Sequence, residues 1–140
     1  MKKRFLGIFL FLLVAVLYAQ NDSTTNIFPF EGRWIVSGTD NRNTFWSAYL
    51  IINEINGNSF SGYFDWYKGI EYAGREYYRG EYDSEKKVVT LSGYRLDNQY
   101  IQLALGIYRA YMARNGYDLE AGAWGGAGGI PGTWEAKWQE

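Results

Sequence analysis

Chemistry in this chain falls to carboxylates, tyrosines, lysines and arginines, since its 140 residues include no histidine and no cysteine. That removes Ser-His-Asp and Cys-His nucleophilic sites, His or Cys metal ligation and the commonest general base. A carboxylate pair can still hydrolyse a glycosidic bond when the two groups stand roughly 5–10 Å apart. Glu76 and Glu120 are the candidates, because strand periodicity turns both toward one interior. The plainer reading places each near a barrel mouth or against an arginine. Gly125–Gly129 is glycine-rich but lacks the Lys-Ser/Thr of a phosphate cradle and opens no helix, so it reads as a loop over one end. Asp40-Asn41 and Asp97-Asn98 lack the spacing of a calcium loop and read as turns. No catalytic residue, metal or cofactor is expected.

The stronger signal is aromatic. All 6 tryptophans and all but one of the 13 tyrosines lie beyond residue 19. A glycine precedes an aromatic by two residues at Gly32–Trp34, Gly62–Phe64, Gly80–Tyr82, Gly106–Tyr108, Gly122–Trp124 and Gly132–Trp134. Residues two apart share a strand face, a glycine lets the strand coil, and a neighbouring ring covers the bare backbone. An interior follows: Trp34, Val36, Phe60, Phe64, Trp66, Tyr78, Tyr82, Tyr108, Met112, Trp124, Trp134 and Trp138. Trp46, Trp66 and Trp124 lie near strand ends and are expected at a cavity mouth, with Glu76, Tyr78 and Tyr108 also facing a ligand; Trp34 and Trp134 read as plain core. Such rings suit a small hydrophobic or aromatic ligand. A barrel filled by its own side chains, acting on a protein partner through outward aromatics such as Tyr49, Tyr77 and Tyr111, is the alternative.

The elements that must position these residues read as strands. They cover Gly32–Gly38, Thr44–Glu54, Ser59–Tyr67, Glu71–Tyr82 (with a break at Ala73-Gly74), Lys87–Arg95, Leu119–Trp124 and Gly132–Trp138. Asn56-Gly57 and Asn115-Gly116 are hairpin signals. Within Gln99–Ala113 the alternation of Ile101, Leu103, Leu105 and Ile107 favours strand, while Gln99–Leu105 is open to being barrel or excursion. Eight short strands with near-neighbour turns predict an all-β, up-and-down antiparallel meander barrel.

Met1–Arg4 is cationic, Phe5–Leu17 is uninterrupted and apolar, and Ala19 is small, the pattern of a signal peptide cleaved after Ala19. Thirteen apolar residues fall short of the roughly 20 that span a bilayer, so no stable membrane insertion is expected after cleavage and the protein reads as secreted or periplasmic. The division is then a signal peptide 1–19, a leader 20–31 that packs over one barrel end, and one barrel domain 32–140. Without Lys2, Lys3 and Arg4, the 14 basic residues become 11 against 15 acidic ones, a net charge of −4. That balance lacks the basic footprint of a nucleic-acid binder.

Phe30-Glu31-Gly32-Arg33-Trp34 resembles the opening strand of the calycin barrels, where lipocalins carry G-x-W and avidins a similar Gly-x-Trp. Gly80-Glu81-Tyr82-Asp83-Ser84 is similar to the Gly-x-Tyr-Asp-Ser strand end of the avidin family. Gly122-Ala123-Trp124-Gly125-Gly126 and Pro131-Gly132-Thr133-Trp134-Glu135-Ala136 resemble the closing strands of small exported bacterial barrels of unassigned function. The Thr-Asp-Tyr motif of lipocalins and the biotin-contacting set of avidins find no counterpart. The resemblance implies a fold and leaves the ligand open.

Overall fold

Apolar residues alternate with polar ones along eight segments, and each segment forms a strand burying one face: β1 (Gly32–Asp40), β2 (Phe45–Asn56), β3 (Ser59–Lys68), β4 (Glu71–Asp83), β5 (Val88–Asp97), β6 (Ile107–Met112), β7 (Leu119–Gly125) and β8 (Gly132–Gln139). The computed structural model describes residues 27–126 and 129–140. The signal-peptide reading and the first part of the leader lie outside the described residues. Each strand pairs antiparallel with the next, and β8 returns to β1 through Val36↔Ala136 and Gly38↔Trp134. The result is a closed up-and-down barrel with strands in sequence order.

The Gly-x-aromatic steps interlock across strands. Gly122 lies opposite Trp134 and Trp124 opposite Gly132; Phe60 lies opposite Gly80 and Gly62 opposite Tyr78. A ring therefore covers a glycine on the neighbouring strand more often than the one two residues before it. A β-carbon at Gly122 would meet the Trp134 ring at 2.7 Å, and one at Gly80 the Phe60 ring at 2.5 Å. Only Gly32 and Gly106 are covered by their own second neighbour.

All twelve interior residues read from the sequence lie in the core or packed against it. Their rings form a column from Phe28 through Phe60, Tyr78 and Phe64 to Trp66. The leader closes one end: Phe28 meets Phe60, Tyr82 and Trp34 edge-on, and Phe30 does the same with Tyr117 and Trp138. Phe28 keeps only 5 % of its surface exposed. Phe28→Ala is expected to cost about 3 kcal/mol or more in urea unfolding, as for other buried phenylalanines. A loss below about 1 kcal/mol would mean that the barrel seals without this plug.

Three local expectations change. The Ala73-Gly74 break is a bulge inside one continuous β4: Trp66 faces Gly74 and Tyr67 faces Tyr72, leaving Ala73 extra. Gln99–Leu105 is an excursion outside the ladder, and pairing of β6 starts at Ile107. Its alternating apolar residues mimic a strand because Ile101 and Leu103 pack down onto the core. Glu120 faces solvent rather than the interior. Ala121 takes a φ of 51°, and β7 carries one extra residue between Leu119 and Gly122. The bulge restores Leu119 to the inside and puts both Glu120 and Ala121 out.

Candidate functional site

Antiparallel order brings the end of β1, the start of β2, the end of β3, the starts of β4 and β6 and the end of β7 to one rim. Trp46, Trp66, Tyr108 and Trp124 each lie within three residues of a strand end at that rim. There they line a cavity of ≈ 480 Å³ at the barrel end opposite the Phe28 plug. Trp66 is the hub. It stacks with Phe64 below and with Tyr108 beside it, and meets Trp46 and Trp124 nearly at right angles, with centroids 6.4 and 6.2 Å away. The Trp124 ring lies over Gly38 and Gly132, where a β-carbon would come within 2.2 and 2.5 Å of it. Its indole N–H donates to the Ile130 carbonyl at 3.0 Å.

Glu76 lies behind this wall. It is 1 % exposed and, among the described residues, is paired with no cation. Instead it accepts hydrogen bonds from Trp66 Nε1 (3.0 Å), the Tyr108 hydroxyl (2.5 Å) and the Gly106 amide (2.7 Å). Burial pushes its carboxyl above the ordinary value, and the three donors oppose that rise. Burial, then the neighbouring Glu76, push the Tyr108 hydroxyl well above its usual range, so it stays a donor. Gly93 makes room for the carboxylate: a β-carbon there would sit 2.0 Å from Oε2.

The mouth is spanned by residues 98–106. Tyr100 and Ile101 amides donate to the Ala73 carbonyl, the Gly93 amide donates to Gly106 O, and the Gly106 amide rests on Glu76. Asp40, at the end of β1, is 7 % exposed. It organises the β1–β2 turn by accepting from the Arg42 and Thr44 amides and from Trp46 Nε1. Burial raises its pKa, but these hydrogen bonds prevail and hold the carboxyl below the usual range.

Of the six residues expected to face a ligand, Trp46, Trp66, Tyr108 and Trp124 are brought together around the cavity. Glu76 touches two of these rings from behind. Tyr78 lies deeper, packed on Phe60 and Phe64, and its hydroxyl donates to the Ile51 carbonyl at 2.7 Å. Sequence reasoning missed Arg42, Lys68 and the 101–106 strap, all of which line the cavity. Their signal was present only as turn-flanking cations and an alternating segment. Glu120 points away from Glu76, so the carboxylate pair required for glycoside hydrolysis does not form. Among the described residues no three acidic side chains converge into a metal-ligand set.

Fold and site define a closed antiparallel eight-stranded barrel, plugged at one end and opening at the other into an aromatic cup. Compared with protein-family models, curated proteins and solved structures, the chain matches none.

Proposed function

We propose that this is an exported, calycin-like barrel that holds a small hydrophobic or aromatic ligand in its cup and does no catalysis on it. The observation carrying the proposal is the cup itself. Its volume of ≈ 480 Å³ falls inside the about 300–1,000 Å³ typical of small-molecule sites, and four aromatic rings are among the residues that line it. Glu76 and Tyr78 have their polar atoms engaged by the protein, so their part is to hold the walls rather than to contact the ligand. The leading apolar segment with its small residue at Ala19 supports export.

The test is native mass spectrometry of protein secreted by its own host. The expected result is a polypeptide beginning at Gln20 and carrying a discrete extra mass that is lost on denaturation. Trp46→Ala and Trp124→Ala should each weaken uptake of that ligand about tenfold, the scale of one aromatic contact. Unchanged uptake in both variants would overturn the cup assignment.

A second reading rests on the outer face. There Arg75 lies over the Tyr63 ring at 3.9 Å, Arg95 over Tyr77 at 4.1 Å and Arg79 over Tyr94 at 4.4 Å. Arg75 and Arg95 are ion-paired with Asp65 and Asp97, so on this tyrosine–arginine surface of β3–β5 it is Arg79 that would meet an acidic face of a protein partner. Isolation of the secreted protein without a bound small molecule but with a co-purifying acidic protein, lost on Arg79→Glu, would favour it.

A further inference from the structure

Resting on the ligand-binding reading above, we infer that the cup selects an organic acid: a flat apolar body inserted between the rings, with an anionic head at the rim against Arg42 and Lys68. Of the polar side chains lining the cavity, the aromatic donors and Asp40 are engaged by the protein; those of Arg42, Thr44, Lys68 and Gln102 are in no hydrogen bond among the described residues, and of these four only Arg42 and Lys68 carry a charge that selects between an acid and a neutral ligand. Trp46 donates to Asp40, Trp66 and Tyr108 to Glu76, and Trp124 to Ile130 O. The Asp40 carboxylate accepts three hydrogen bonds from its own turn and from Trp46. The four aromatic walls therefore offer a ligand ring surface and no free donor. Arg42 and Lys68 differ. Both line the cavity, both are exposed, and among the described residues neither takes part in an ion pair.

Lys68 is further placed by Trp46, over whose ring its ammonium stands at 5.8 Å. That leaves a cationic ligand facing a ring already partnered by a cation. Buried Glu76 lies behind the floor, and at the lip the two cations Arg42 and Lys68 outnumber the one carboxylate, Asp40, whose oxygens are taken up by its own turn and Trp46. An amphipathic anion lowers its energy in one orientation only, ring inward and head outward.

The test uses three probes that share one ring system: 1-naphthoate, 1-naphthylmethanol and 1-naphthylmethylammonium, titrated against the mature protein by calorimetry at neutral pH. The acid should bind about tenfold tighter than the alcohol, equivalent to about 1.4 kcal/mol, and the advantage should shrink as salt is added. In the Arg42→Gln/Lys68→Gln double variant the ratio of acid to alcohol affinity should fall to about one. Equal binding of acid and alcohol by the unaltered protein overturns the inference while the cup reading stands. Tightest binding of the ammonium overturns it in favour of attraction by Asp40 and Glu76. If none of the three binds, the cup reading itself falls, and this inference with it.

Discussion

Replacing Gly62 by alanine is expected to prevent folding or to cost at least about 4 kcal/mol, a loss reserved for a few severe mechanisms. A β-carbon at Gly62 would lie 1.8 Å from the Ile51 carbonyl oxygen and 2.9 Å from the Tyr78 hydroxyl. The oxygen belongs to the backbone, so no rotamer change relieves the overlap. It projects inward beside the irregularity in β2 between Ile52 and Glu54, and the buried Tyr78 hydroxyl satisfies it. Gly62 is thus the position that lets β2 bulge and close against β3. Gly57 provides the contrast. It sits in the β2–β3 turn with a φ of 63° and no described atom within 4 Å of its added carbon. Gly57→Ala should cost only about 1–2 kcal/mol, the price of a left-handed alanine. Urea midpoints of the two variants check the ranking, and a Gly62→Ala protein less destabilised than Gly57→Ala would refute the close-packing argument.

The same local geometry explains what was legible before the structure. Seven strand segments and the twelve inward residues follow from period-two alternation, which the barrel enforces because a one-residue slip would put Trp34 or Phe64 into water. Trp46, Trp66 and Trp124 could be placed at a mouth because each lies near a turn signal. Bulges were not legible. Glu120 is two residues before Gly122, and periodicity alone puts both on the inside. The extra residue at Ala121 is dictated by how β7 fits Trp134 on β8, a tertiary fact with no local sequence marker. The strap defeated the pattern for a related reason. Ile101 and Leu103 bury their side chains by lying over the aromatic column, so apolar alternation appears without a ladder. Arg42 and Lys68 read as ordinary turn cations until the rim brought them to one cavity.

Glu76→Gln is the change expected to reach furthest into the site, since it keeps the shape and alters only charge and donor count. The carboxylate accepts on both oxygens, from Trp66 and Tyr108 on one and from Gly106 on the other. An amide offers a single accepting oxygen. With it toward Gly106, the Trp66 N–H faces an NH₂ group; turned the other way, the Gly106 N–H does. The Tyr108 hydroxyl can rotate to accept, but one buried donor is left unpaired in either case, at a cost of about 1–3 kcal/mol. The pH dependence separates this loss from simple packing damage. Glu76 has a pKa raised above 4.5 by burial, so above that pH the folded protein holds more protons than the unfolded chain, and stability falls as pH rises toward neutral. Asp40 and Asp118 act in the opposite sense. Burial raises the Asp118 pKa too, yet hydrogen bonds from the Trp138 amide and Asn115, with Lys137 nearby, hold it below 3.8. Their contribution is present above that pH and is lost on further acidification. The wild type should therefore be most stable on the acid side of neutrality, between these two limbs. Glu76→Gln should abolish the limb that falls toward neutral pH and leave the acid limb, as read from urea midpoints between about pH 3 and 7. A variant whose profile parallels the wild type would mean that folding does not raise the Glu76 pKa. Because Gly106 is the last residue of the strap, immediately before β6, the Gly106 amide should also lose hydrogen-exchange protection in the variant, which ties the buried carboxylate to the closure of the mouth.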